Sequence, residues 1–383
     1  MKLILKLIAG IVAGIIIGLT QIEFLTRLLL TVSDIFGQFI GFMIPLIILF
    51  FIASGVSQLG GESGKMVGYT VGLAYTSTLL AGIAAFIVAI TVMPFISAGG
   101  TPPEEGGGLE AFFSFEIAPL MGVITALVLA FVFGISMAKL QSGILIKVFD
   151  EGRAIVELII RKVIIPFLPV YIAGIFAGLA AEGTVFETLR IFGLVLVTAI
   201  ATHWVWIIIQ YTVAGTVTKR NPFALIKTML PAYFTALGTM SSAATIPVTL
   251  RQAKQNKVRE EVANFSVPLG ATIHLSGSVI TIVTCSVAVM SVLDGYSIPS
   301  IFEIIPVIAM LGIIMIAAPG VPGGAIMAAL GILTSMLGFS EAAIGLMIAL
   351  YMAQDSFGTG ANVTGDGAIA LLVDKIVTKK TAA

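Results

Sequence analysis

Asp355, Thr359, Asn362 and Asp366 are spaced by 4, 3 and 4 residues, so at about 100° per residue they share one helix face. The surrounding chain is apolar, and an ionised Asp at the centre of a bilayer costs roughly 2.5–3.5 kcal/mol on insertion scales. Two such groups call for a compensating positive charge, and a bound cation or an ammonium group supplies one. A second polar set lies in Gly270-Ala-Thr-Ile-His-Leu-Ser-Gly-Ser278. There Thr272, His274, Ser276 and Ser278 fall at alternate positions, which is no helical stripe. A locally unwound segment offering carbonyls and hydroxyls to a cation fits that spacing. His274 reads either as a buried hydrogen-bonding residue or as a proton carrier, since an unperturbed imidazole titrates at about 6.5. His203, between Thr202 and Trp204, reads as polar packing. Tyr75-Thr-Ser-Thr78 adds hydroxyls that can also return to their own helix backbone.

The elements that must hold these groups follow from composition and charge. Hydrophobic residues make up 58% of the 383 and charged residues 10%, with a mean hydropathy of +1.12. That is the composition of a polytopic α-helical membrane protein; the alternation of a β-barrel is absent. The single cysteine, Cys285, excludes an intramolecular disulfide framework. No Walker sequence, HExxH motif or nucleophile–base pair occurs, so neither an ATP-driven pump nor a membrane protease is expected, nor any other enzyme. No cofactor and no nucleic-acid partner is expected either.

Basic residues cluster at Lys2/Lys6, Lys65, Lys139 to Lys162, Lys219 to Lys227, Arg251 to Arg259 and Lys375 to Lys380, with acidic or uncharged loops between. By the positive-inside rule those clusters are cytoplasmic. Spans are then expected at 3–20, 28–56, 66–96, 113–138, 155–180, 190–217, 262–292 and 340–376, with both termini inside and the first span retained. Two apolar segments break the alternation. Residues 228–250 have basic clusters on both sides, and 304–339 have acidic loops on both sides and two prolines and three glycines within 317–324. Each is expected to enter the membrane and return, one from each side. Oppositely directed broken elements in matching positions are the mark of inverted repeats around a midplane site. The tip of the first, Gly238-Thr-Met-Ser-Ser-Ala-Ala-Thr-Ile-Pro-Val-Thr249, suits either carboxylate binding at a helix N-terminus or close helix packing.

With these motifs in place, the chain resembles the dicarboxylate/amino acid:cation symporter family, which includes glutamate transporters and neutral amino acid carriers. Ser241-Ser-Ala-Ala-Thr-Ile-Pro-Val-Thr249 is similar to the family's serine-rich tip, Pro268 to Ser278 to its unwound seventh helix, Gly320-Val-Pro-Gly323 to the second tip, and Asp355 to Asp366 to the eighth helix. The resemblance implies an all-α glutamate-transporter-like fold of eight transmembrane helices and two re-entrant hairpins. It also implies a homotrimer in the plasma (inner) membrane, in which each protomer moves its transport domain (about 65–97 and 190–376) past a scaffold (about 1–60 and 112–180). Ser241, Ser242 and Asn362 would hold a substrate carboxylate and Asp355 the ammonium, with Ser278, Gly358 and Thr359 alongside. Gly320, Val321, Pro322 and Gly323 would close over the substrate. Gly270, Asn362 and Asp366 would form a sodium site, with Tyr75, Thr76, Ser77, Thr272 and His274 in the wider cation-binding set.

The departures carry specificity. The family's seventh-helix Asn-Met-Asp-Gly-Thr is His274-Leu-Ser-Gly-Ser278 here, so an intramembrane Asp is replaced by Ser276. Met315 and Ala318 stand at hydroxyl ligand positions of the second hairpin. Gly358 and Met240 stand where members that take acidic substrates carry an arginine. The expectation is secondary active uptake of a small neutral amino acid with sodium, at reduced or altered coupling. Proton coupling through His274, with an amino acid or dicarboxylate as substrate, is the alternative. A channel or non-transporting binding protein is the reading from another class.

Overall fold

The computed structural model describes residues 2–58, 64–97, 109–140, 143–293, 295–316, 318 and 322–381. Regular structure among them is helical throughout. The first half comprises α1 (Lys2–Leu19), α2 (Glu23–Gln58), α3 (Gly64–Ser97), α4 (Val123–Leu140), α5 (Gly143–Ile159), α6 (Ile165–Ala181) and α7 (Val185–Thr218). The second half comprises α8 (Pro222–Thr239), α9 (Ser242–Gln255), α10 (Glu260–Ile273), α11 (Ser276–Val292), α12 (Ile301–Met315), α13 (Gly324–Leu337) and α14 (Glu341–Thr381). A π-helical turn, Ile160–Ile164, joins α5 to α6.

Two expected boundaries differ. The fourth helix begins at Val123, not 113, because Pro119 and Gly122 interrupt the preceding run. The fifth starts earlier than expected: the charged, amphipathic α5 continues through the π turn into α6. Among the described residues, α2, α3, α4, α5 with α6, α7, and α10 with α11 are long and apolar enough to cross a bilayer. The apolar part of α1 is shorter, and α14 is long but loses apolarity to its own polar face.

α1 lies along α6 at a spacing that only glycine permits. A Cβ on Gly10, Gly14 or Gly18 would fall 2.3, 2.1 or 2.3 Å from the carbonyl oxygens of Pro169, Ala173 and Ala177. The four-residue repeat of small residues lets the backbones touch, the usual means of helix association in lipid. Gly14→Leu is therefore expected to force α1 off α6 at a cost of about 1–3 kcal/mol. A lowered thermal midpoint in detergent checks this, and an unchanged midpoint would count against the packing.

Phe95, Ile144 and Phe302 are more than four-fifths exposed, an outward apolar surface that suits lipid rather than water. In contrast, α11 is buried on nearly every side from Ser276 to Met290. It packs on α3, α7 and α14, and α14 packs in turn on α7, α8, α9 and α10. α2 gathers α4, α5 and α6, and α13 also touches α2. Asn221 caps α8 by accepting from the N–H groups of Phe223 and Ala224 at 2.9 and 3.2 Å. α8 ends at Met240, whose φ of 53° turns the chain back along α9. A non-glycine residue pays roughly 1–2 kcal/mol for that left-handed backbone, and Met240 is buried at the site described next.

Candidate functional site

Three helices begin beside one face of α14. α10 stops at Ile273, and His274 and Leu275 carry non-helical backbone angles before α11 starts at Ser276. The expected unwound segment is thus a two-residue break. α9 starts at Ser242, with Ser241 as its cap, its hydroxyl accepting from the Ala244 N–H at 3.2 Å. α13 starts after Gly323, whose φ of 73° is open to glycine and strained for other residues. The positive ends of these helices face inward, where they attract negative charge.

A small cavity of about 20 Å³ lies among them, lined by Ser241, Ser242, Ser278, Tyr351, Asp355, Thr359 and Asn362, with apolar Met240, Ala271, Leu275, Ala318 and Ala325. No basic side chain is among the described residues that line it. Asp355 accepts from the Gly323 N–H at 2.8 Å. Asn362 uses its oxygen for the N–H groups of Gly277 and Ser278 at 2.8 and 3.2 Å, and donates to the Ser278 hydroxyl at 2.9 Å. Tyr351 donates to the same hydroxyl at 3.2 Å. The Thr359 hydroxyl returns to the Asp355 carbonyl at 2.8 Å.

The break is held from two sides. On one, the Nε2 of His203 lies 3.0 Å from the Gly277 carbonyl and 3.0 Å from the Thr281 hydroxyl. On the other, α14 comes so close that a Cβ on Gly277 would sit 2.3 Å from the Gly358 carbonyl. Gly277→Ala is expected to push α11 from α14 and misplace both N–H groups on Asn362. Ligand affinity should fall at least tenfold, the effect of losing about 1.4 kcal/mol, and a ligand titration compares it with Ser276→Ala. Equal affinity in the two variants would remove Gly277 from the site.

Asp366 lies in a separate cluster. Its Oδ1 is 3.1 Å from His274 Nδ1, and the other ring nitrogen is 2.9 Å from the Ser77 hydroxyl. Gln210 donates to Ser77 at 2.8 Å and lies 3.3 Å from His274 Nε2. A Cβ on Gly270 would approach Asp366 Oδ1 to 2.8 Å, so glycine makes room for the carboxylate. The second carboxylate oxygen of Asp366 and the amide oxygen of Gln210 have no hydrogen-bond partner among the described residues. Both are acceptors, and they are the atoms of this cluster suited to a cation.

The predicted residues therefore separate. Asp355, Thr359, Asn362, Ser241, Ser242 and Ser278 meet at the cavity; Asp366, His274, Ser77 and Gly270 meet next to it. Asn362 shares no hydrogen bond with Asp366. Thr76 and Thr272 are exposed, the latter bonded to the Leu269 carbonyl at 2.8 Å. Tyr75 donates to the Ala309 carbonyl at 3.2 Å, bracing α12. Gly358 is buried against Thr281 and Gly277 and is not part of the cavity lining. Pro322 is partly buried beside Gly323; Gly320 and Val321 lie outside the described residues. Sequence reasoning missed Gln210 and Tyr351, apolar-helix polar residues whose partners are distant in the chain, and gave His203 only a packing role.

A lipid-suited exterior, helices of membrane-crossing length and a buried site at broken helices define a multi-pass helical membrane protein. The chain belongs to the sodium:dicarboxylate symporter family, whose profile matches residues 3–376. This is a family of transporters, not of enzymes. The chain is 30% identical over 265 residues to excitatory amino acid transporter 3 of Oryctolagus cuniculus, covering 68% of this chain and 50% of that protein. It is 31% identical over 256 residues to the serine/threonine transporter SstT of Acinetobacter baumannii (strain AYE), covering 64% of this chain and 62% of the relative. With the SstT of Acinetobacter baylyi (strain ATCC 33305 / BD413 / ADP1) identity is 26% over 365 residues, 90% of each. The matched region thus spans about half the length of the mammalian relative.

Proposed function

We propose that this protein is a secondary active symporter that takes up a small neutral amino acid together with a cation. The observation that carries the reading is the cavity lining: among the described residues it holds the buried carboxylate of Asp355, hydroxyls, the Asn362 amide and helix N-termini, and no basic side chain. A zwitterion satisfies both ends of that arrangement, its ammonium at Asp355 and its carboxylate at the starts of α9 and α11. A second carboxylate on the substrate would find no guanidinium. The small apolar side chains of Ala271, Ala318 and Ala325 favour a short substrate side chain. Relatives named as amino acid and serine/threonine transporters support the same substrate class.

In this reading α8–α9 and α12–α13 are the re-entrant hairpins, and the remaining helices supply eight spans with cytoplasmic termini in the plasma membrane. The mobile unit comprises α3 and α7 to α14, and the scaffold α1, α2 and α4 to α6, in a trimer. Support comes from the packing of α14 and α11 mainly on one set and of α2 on the other. Sodium is the coupling ion, with Asp366 and Gln210 offering oxygens.

The test is a thermal-shift screen of amino acids and dicarboxylates with and without sodium, since a ligand that binds only the folded state raises its midpoint. It is followed by uptake into proteoliposomes. Small neutral amino acids should raise the midpoint and accumulate against their gradient. A response to dicarboxylates alone would overturn the substrate assignment, and flux without accumulation would point to a channel. One observation favours a second coupling ion: His274 already occupies Asp366 Oδ1 at 3.1 Å. An imidazolium there replaces a metal cation, and a proton gradient would then drive uptake without sodium.

A further inference from the structure

A larger cavity, of about 360 Å³, lies apart from the Asp355 site, where α2, the segment before α4, α6, α13 and the start of α14 meet. Its interior is apolar: Ile40, Ile44, Phe339 and Ile344 line it and are each less than a tenth exposed. Its polar groups include two exposed carboxylates, Glu116 and Glu341, and no basic side chain is among the described residues of the lining. Glu341 reaches α2, where a Cβ on Gly37 would lie 3.3 Å from its Oε2. At Gly41, also in the wall, a Cβ would meet nothing within 4 Å. The space is therefore open, dry-walled and negative at the accessible carboxylates.

We infer that this cavity binds a hydrophobic amine, with the apolar body between α2 and α14 and the ammonium against Glu341 and Glu116. Apolar walls with a few placed polar groups are the usual make-up of a small-molecule site. Here the sign of those groups selects a cation and rejects an anion. The occupant would touch α2 and α6 on one side and α13 and α14 on the other. If the proposed scaffold and mobile unit are as assigned above, it would hold them together and inhibit transport. That consequence rests on the proposed function; the binding itself does not.

The probe is 2-phenylethylamine, compared with 2-phenylethanol, on the purified full chain in lipid nanodiscs, read by thermal midpoint and then by amino acid uptake. The amine should raise the midpoint more than the alcohol and should inhibit uptake in a way that added substrate does not relieve. Gly41→Leu, which puts a side chain into the cavity from a position where a Cβ has room, should remove both responses while keeping a native midpoint. A Glu116→Gln/Glu341→Gln double variant should weaken the amine about fivefold at most, as exposed charge pairs do, and leave the alcohol unchanged. Asp355→Asn should retain the midpoint shift given by the amine. The inference is overturned if amine and alcohol act equally on the native chain, if neither binds, or if Gly41→Leu responds fully. It is also overturned if Asp355→Asn abolishes the midpoint shift, which would place the amine in the substrate site. A midpoint shift with no effect on uptake would leave the binding site standing and count against the two-unit transport reading instead.

Discussion

Asp355→Asn is expected to abolish measurable amino acid binding, lowering affinity by a hundredfold or more. The carboxylate is 4% exposed, and removing one partner of a buried charge pair costs roughly 3–5 kcal/mol. The substitution isolates charge from architecture, because the asparagine oxygen can still accept the Gly323 N–H held at 2.8 Å in the native chain. Asp355→Ala loses both the charge and that anchor. It should therefore show the same loss of binding and, in addition, a lowered midpoint without ligand. Thermal shift with amino acid and uptake into proteoliposomes measure the two effects. Native uptake by the asparagine variant would remove Asp355 from substrate recognition, leaving it a support for the turn before α13.

His274→Ala has the second large effect, and it acts first on stability. Asp366 is 1% exposed and loses its hydrogen bond to His274 when the imidazole is deleted, at a cost of roughly 3–5 kcal/mol for a buried charge left unpaired.

 Asp366→Asn, combined with it, should restore most of that loss, since a neutral amide needs no counter-charge. A double-mutant cycle of thermal midpoints reads the coupling. Strictly additive effects would mean that the two side chains do not depend on each other. The same variant probes the coupling ion. With the ring gone, Asp366 Oδ1 joins the unpartnered Oδ2 and the Gln210 amide oxygen as a free acceptor, and sodium should then stabilise the variant more than the native chain.

The two predictions concern sites that share α14 but differ in how they hold charge. Asp355 accepts from the Gly323 backbone N–H and faces a cavity. Asp366 is packed against an imidazole, with Ser77 and Gln210 behind it. The first arrangement suits a ligand that comes and goes; the second suits an ion or proton that compensates a fixed buried charge.

Much of this could be read along the chain. The 4, 3, 4 spacing of Asp355, Thr359, Asn362 and Asp366 places them on one face wherever the helix sits, because helix geometry is local. The alternating polar residues at 272–278 indicated a break, and the break falls at His274 and Leu275. Local patterns also misled: Thr272 and Thr76 carry suitable hydroxyls but point outward, since a residue's side of a helix depends on where the neighbours pack.

By itself the sequence determined that two carboxylates would be buried in an apolar helix and that helices would break beside them, because burial cost and backbone preference belong to residue types and spacing. Only the tertiary structure decided which partner each carboxylate meets. Gly323 lies 32 residues from Asp355 and His274 lies 92 from Asp366. Such pairs form only when distant helices dock, and docking here depends on glycines at 270 and 277 that let a carboxylate and a backbone approach more closely than a larger side chain allows.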